Sequence, residues 1–464
     1  MLTYFPRYFS TRAITCYVVT LALVSALFLS HAMPFQFMLF GLVPVIVFFT
    51  YSTQLTMNWN KCGEGAFTKK LFVTAAVIRA ICVIFIYFYY LNATGKPFKF
   101  GVGDDTFYAE IGSYWHDYGF EQMATTVKEG IDLSDRGYPW WLGFECLLLG
   151  THVLPHRLVK CLIDALSCVL IYHLAKRNFG ETTGRMAAIF CMLMPNMWYY
   201  CGVTLKETEM AFLTVLFVER ADYALHSPKI TFSNIILPGV VILIMFTFRT
   251  ALAAVLMAAM AASLILSSGK QLQLWKKILY VSVFAGWMLL TVGAEMLQET
   301  YEMWAARSDA NYEWRAERAG GNSFAKYASA SVFAPLIFTI PFPTLVNISG
   351  QENQMMMNGG NFIKNILSGL TILALFLLLI RGDWRKHVLP ISVMCGYLVV
   401  LVFSNFAHSE RFHFPILTFE LMFAAYGVSQ LTNRHKRWYT IWLIGICIAN
   451  IAWSWIKLAG RGLS

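Results

Sequence analysis

Val102-Gly103-Asp104-Asp105-Thr106-Phe107-Tyr108-Ala109-Glu110-Ile111 opens the only long polar segment in the first half of an otherwise apolar chain. Two carboxylates just past a membrane span are costly unless they face water or a bound cation. One reading is a solvated turn built on Gly103 and the two aspartates. The other is an active-site carboxylate at the membrane surface. The rest of the chain has to choose between them.

Of the 464 residues, 58% are hydrophobic and only 13% charged, and the mean hydropathy is +0.56. Soluble domains carry about 25% charged residues, so the composition predicts an all-α polytopic membrane protein. The 37 Phe, 22 Tyr and 14 Trp suit interfacial belts and lipid-facing helices, with membrane lipids as partners. A net charge of +10 raises nucleic acid as a partner. The basic residues fall between hydrophobic spans, however, which is the positive-inside pattern and argues for no nucleic acid. The ten cysteines are scattered, mostly within apolar runs and without a CxxC, and read as small apolar residues.

Working outward, apolar runs place spans at 15–30, 34–51 and 70–91, with Lys61, Lys69 and Lys70 on the inner side. The first of them, after Arg7 and Arg12, reads as a signal peptide or a retained span, and either way the segment from Pro34 starts outside. That parity delivers Asp104 and Asp105 to the outer face, in a first outer loop over 92–155. Its last part, 138–153, opens Tyr138-Pro139-Trp140-Trp141 and is too short and polar to span, so it reads as a juxtamembrane helix. Spans follow at 156–175, 184–203 and 208–226, with Lys176, Arg177 and Arg185 inside. The long apolar run 232–267 has basic residues at both ends and reads as a hairpin turning at Arg249. A span near 278–297 leads to a second large outer segment over 298–360, with Arg315, Arg318 and three helix-breaking prolines. Spans at 361–380, 388–405, 412–430 and 438–458 complete a single transmembrane unit over 1–464 with about 13 transmembrane helices.

On this topology Asp104, Asp105, Lys206, Glu207, Arg249, Arg315, Arg318, Glu410 and Arg411 all fall on one face. Charges at membrane depth point to function, and arginine forks match phosphate oxygens. The competing account for each arginine is a side chain snorkelling at a helix end. His116, His408 and His413 lack metal-site spacing, and no glycine-rich nucleotide cradle is present. A site joining carboxylates and arginines on a many-span scaffold suits a lipid-phosphate substrate.

The stretch Asp104-Asp105-Thr106-Phe107-Tyr108-Ala109-Glu110, following a span, resembles the Asp-Glu-x-x-Tyr-Ala-Glu motif of lipid-carrier-dependent glycosyltransferases of the GT-C fold. That group includes protein O-mannosyltransferases and lipid A aminoarabinose transferases. The resemblance runs through Tyr138-Pro139-Trp140-Trp141, the helix ending Ala175-Lys176-Arg177-Asn178-Phe179-Gly180, and Met194-Pro195, covering about 70–225. Later, Arg411-Phe412-His413-Phe414-Pro415 is similar to an Arg-Tyr-x-x-Pro element. Departures are Asp105 for Glu, Trp140 for the second Pro, Lys206-Glu207 where many members carry Asp, and two extra spans before the motif.

The resemblance implies a GT-C-like fold with outer-face juxtamembrane helices in the inner (plasma) membrane. It implies a periplasmic or lumenal site and a polyprenyl-phosphate-linked sugar as donor, with a glycan, lipid or protein as acceptor. By motif position Asp104 is the catalytic carboxylate. A base within reach of the acceptor hydroxyl takes its proton during attack on the anomeric carbon, and direct displacement inverts that centre. Asp105 is then a helper or a metal ligand, because two adjacent acids leave room for a divalent ion. Arg249, Arg411 and Lys206 are expected on the donor phosphate, and Tyr108, Glu207 and Glu410 on substrate. The alternative enzyme is a polysaccharide polymerase or O-antigen ligase using a polyprenyl-diphosphate-linked glycan. A transporter or flippase is disfavoured by the lack of an inverted repeat.

Overall fold

The computed structural model describes residues 2–101, 103–226, 232–266, 335–403, 407–432 and 435–463. The span expected near 278–297, and most of the 298–360 segment with Arg315 and Arg318, lie outside the described residues. The helices are α1 (Arg7–Leu27), α2 (Phe35–Asn58), α3 (Glu64–Thr94), α4 (Asp104–Tyr118), α5 (Phe120–Gly130), α6 (Leu133–Leu149) and α7 (Val153–Phe179). Then come α8 (Glu181–Leu193), α9 (Pro195–Cys201), α10 (Glu207–His226), α11 (Phe232–Phe248) and α12 (Thr250–Leu266). After the undescribed stretch follow α13 (Glu352–Met356), α14 (Asn358–Ile380), α15 (Val388–Phe403), α16 (Glu410–Ser429) and α17 (His435–Ala459). Apart from one isolated bridge between Ala32 and Val346, the described residues pair no β-structure. The chain is an all-α polytopic membrane protein.

Six described helices are long and apolar enough to cross a membrane: α1, α2, α3, α7, α14 and α17. Shorter apolar helices cover Ile236–Phe248, Thr250–Leu266 and Val388–Phe403. The expected single span at 184–203 is instead two helices. Pro195 forces Met194 into an extended conformation (φ −71°, ψ 117°), so α8 ends there. The break frees carbonyls that a membrane interior cannot hydrate. Buried Arg79 donates to the carbonyls of Cys191 and Met192 at 3.3 and 3.4 Å, and Trp198 Nε1 to that of Met192 at 2.9 Å. Arg79 also forms a wholly buried ion pair with Asp164.

Helices pack closely where small residues allow it. A Cβ on Gly359 of α14 would lie 2.5 Å from the Gly41 carbonyl oxygen of α2, and one on Gly427 of α16 would strike the Leu370 carbonyl of α14.

Polar junctions collect at two ends. At one, Arg185 donates to the carbonyls of Trp59 and Cys62 at 2.6 and 2.7 Å, and Lys176 pairs with Glu64 at 2.7 Å. Arg177 pairs there with Glu219 and Asp222, and Arg381 donates to Gln430. These are the junctions that the positive-inside pattern of the sequence predicts to be inner. The other end gathers the starts of α4, α10 and α16 and the α11–α12 junction. Helix α7 joins the two: Arg157 meets Thr204 near one terminus and Arg177 lies at the other. Its 27 residues span roughly 40 Å at about 1.5 Å per residue, enough to cross a bilayer.

Candidate active site

The segment expected as a polar loop before Tyr138 is folded into α4 and α5. Helix α4 buries Asp105, Tyr108, Ile111 and Gly112, a spacing of one helical face, with Gly112 against Leu142 of α6. Helix α5 adds Met123 and Val127 to a small core shared with Ile111 and Ile131. Helix α6 starts at Leu133, five residues before the expected juxtamembrane helix, and ends at Gly150 with a left-handed φ of 80°.

Successive residues of a helix point about 100° apart, so the two aspartates diverge. Asp105 is wholly buried; its Oδ2 accepts the Lys99 backbone N–H at 3.0 Å and its Oδ1 that of Thr106 at 3.0 Å. Burial raises its pKa against those hydrogen bonds. Asp104 turns outward, with its side chain 51% exposed, and pairs with Arg411. Adjacency in sequence therefore does not make a shared metal site. Among the described residues no three His, Cys, Asp or Glu side chains are grouped to hold a metal ion.

Arg411 stands in the first turn of α16, between the carboxylates of two other helices. Its Nη1 donates to Asp104 and its Nε to Glu207, the first residue of α10. Glu207 is fully buried, and its second oxygen has no hydrogen-bond partner among the described residues. Burial works to raise the Asp104 pKa, but the Arg411 guanidinium outweighs it and holds the carboxyl below its usual value. Three of the residues singled out in the sequence thus meet in one cluster.

A second cluster lies beside it. Lys206 donates to the carbonyls of Ser134 and Phe248 at 3.0 and 2.6 Å, and pairs with Asp135. Burial, reinforced by Arg249 and opposed by Asp135, lowers the Lys206 pKa to about 8. Tyr108 donates to the same Asp135 oxygen at 3.3 Å, and burial raises its phenol pKa. Asp135 is a residue the sequence reading missed. Its signal was a carboxylate in the first turn of the helix that carries Tyr138-Pro139.

Arg249 lies at the single-residue break between α11 and α12, donating to the Tyr397 hydroxyl at 3.1 Å. Its guanidinium stacks over the Phe412 ring at 4.4 Å, next in sequence to Arg411. Glu410 makes no ion pair with Arg411 among the described residues, and lies in the field of Lys457, Lys99 and Arg411. Lys457, on the last turn of α17, donates to Thr344 Oγ1 at 2.5 Å and Gln351 Oε1 at 3.0 Å. It was also missed, because nothing in its own segment distinguishes it from a snorkelling lysine.

Residues 137–293 match the Dolichyl-phosphate-mannose-protein mannosyltransferase family model. The match supports a GT-C glycosyltransferase. No curated protein and no solved structure matches the chain. The matched stretch contains Lys206, Glu207 and Arg249, whereas Asp104 precedes it and Arg411 follows it. The match supports a membrane glycosyltransferase using a lipid-linked sugar.

Proposed function

We propose that the protein transfers a sugar from a polyprenyl-phosphate carrier to an acceptor hydroxyl at the outer membrane face, with Asp104 as general base. The observation that carries this reading is the convergence of Asp104, Glu207 and Arg411 from three separate helices. Asp104 is ionised at neutral pH and half exposed, so an incoming hydroxyl can reach it. The acceptor oxygen bonds to the anomeric carbon as its proton passes to Asp104, and the bond from that carbon to the phosphate oxygen breaks with its electron pair. One displacement inverts the anomeric centre. Arg411, Arg249 and Lys206 stabilise the negative charge that grows on the phosphate, and Tyr108 and Glu207 order the groups around it.

A membrane-level cavity of about 440 Å³ supports a lipid-borne substrate. It is lined by Phe40, Val43, Phe85, Trp198 and Tyr199. The Tyr199 hydroxyl meets that of Tyr90 at 3.0 Å, and Tyr90 packs on Phe100, next to the Lys99 backbone that Asp105 holds.

The test is purified full-length protein in lipid, given polyprenyl-phosphate sugars and, separately, polyprenyl-diphosphate-linked glycans. Release of polyprenyl phosphate from the first group with inversion at the sugar is the expected result. Turnover of the diphosphate-linked glycans alone would replace this reading with that of a polymerase or ligase.

A further inference from the structure

The cations that act on the site carboxylates differ in how far they are already engaged. Arg411 is divided between Asp104 and Glu207. Lys206 directs its ammonium at two carbonyls and Asp135. Arg249 is bonded to Tyr397 and stacked on Phe412, Lys457 is bonded to Thr344 and Gln351, and wholly buried Arg157 is bonded to Thr204. Lys99 acts electrostatically on Asp104, Asp105 and Glu410. Among the described residues, its ammonium has no hydrogen-bond or ion-pair partner.

The backbone around Lys99 is pinned although, among the described residues, its ammonium is not. Its N–H is held by Asp105, and the next residue, Phe100, exchanges hydrogen bonds with Asn353, giving its N–H at 3.2 Å and accepting at its carbonyl at 3.0 Å. The side chain lies over Gly103: a Cβ there would sit 3.2 Å from Lys99 Cε and 3.5 Å from Nζ. Gly103 immediately precedes Asp104, so the lysine side chain lies along the segment that carries the carboxylate assigned as base. Asp105, buried and turned inward, serves here as the anchor of that segment.

We propose that Lys99 receives the carrier phosphate as it leaves the sugar. The inference rests on the transfer reaction proposed above. Cleavage turns a phosphodiester monoanion into a phosphate monoester with additional negative charge, so a nearby ammonium interacts more strongly as the bond breaks. Among the described residues, a phosphate arriving at Lys99 displaces no hydrogen bond of its ammonium, whereas at Arg411 it competes with two carboxylates.

The experiment measures binding of polyprenyl phosphate, with polyprenol as the uncharged control, to the purified full chain. Lys99→Gln should weaken polyprenyl phosphate binding on the order of ten- to a hundredfold, the range expected for one charge-assisted contact. Polyprenol binding should not change, and Lys99→Arg should retain most of the affinity. Gly103→Ala keeps the lysine but places a methyl group against it; the extended backbone there (φ −169°) accepts alanine. It should weaken phosphate binding by a smaller factor, and it covers the case in which Lys99→Gln does not fold. Wild-type protein that does not bind polyprenyl phosphate overturns the carrier reading and this inference with it. Wild-type protein that binds, with Lys99→Gln or Gly103→Ala binding equally well, overturns the role of Lys99 alone.

Discussion

Replacing Asp104 by Asn removes the assigned base while leaving nearly the same shape. The Asp104 side chain is 51% exposed and that of Arg411 20% exposed, so their pair is worth at most about 1 kcal/mol after solvent screening. Arg411 keeps its second partner, Glu207, so the variant should fold with little loss of thermal stability. Its kcat should nevertheless fall about a hundred- to ten-thousandfold, because Asn cannot take the acceptor proton. The KM for the polyprenyl-phosphate sugar should stay near the wild-type value, since the groups assigned to the phosphate are intact. Arg411→Gln should show the complementary pattern, a raised donor KM. The assay is steady-state transfer by purified protein, with donor binding and thermal unfolding measured on the same preparations. Turnover of Asp104→Asn within a few-fold of wild type would refute the base assignment. So would a loss of turnover matched by loss of donor binding, which would make Asp104 a support for Arg411.

Two pH limbs should frame the rate. Asp104 must be ionised to act, and its pKa is held below the ordinary 3.8, so the acid limb should lie below that value. Arg411→Gln should move it upward, because burial is then opposed only by the smaller effects of Lys99 and Lys206. Lys206 loses its charge above a pKa of about 8, so the rate should decline as pH rises through that value; a profile flat to pH 10 would remove Lys206 from the phosphate site. Gly359→Ala places a methyl group 2.5 Å from the Gly41 carbonyl and should destabilise the α2–α14 contact by about 1–3 kcal/mol, visible as a lowered unfolding temperature. Cysteines introduced at the exposed positions Glu129 and Lys386 should label from opposite sides of the membrane, Glu129 from outside; labelling of both from one side would overturn the topology.

The sequence alone determined the class and predicted the sidedness. A charged fraction half that of soluble domains, and basic residues confined to alternate junctions, leave few options other than a many-span helical protein, because an unpaired charge is costly in hydrocarbon. The same alternation predicts that Asp104, Glu207, Arg249 and Arg411 share one end, and they do. Motif resemblance added the carboxylate at Asp104, and residues 137–293 carry the family match.

What the sequence could not decide was which of those charges touch. Asp104 and Arg411 are 307 positions apart, and only the packing of α4, α10 and α16 brings them onto one another. The two aspartates look like a pair in the linear motif, yet the turn of α4 sends one to solvent and the other under the Lys99 backbone. Asp135 and Lys457 carry no local mark, because a charge near a helix end has the same sequence signature whether it snorkels or closes a site. The break at Pro195 was legible as a residue type, but not that Arg79 would reach across to cap the freed carbonyls. Local pattern reports what a segment must bury or expose. The partner that satisfies a buried polar group is chosen by tertiary packing, since any of several distant donors could meet the same need.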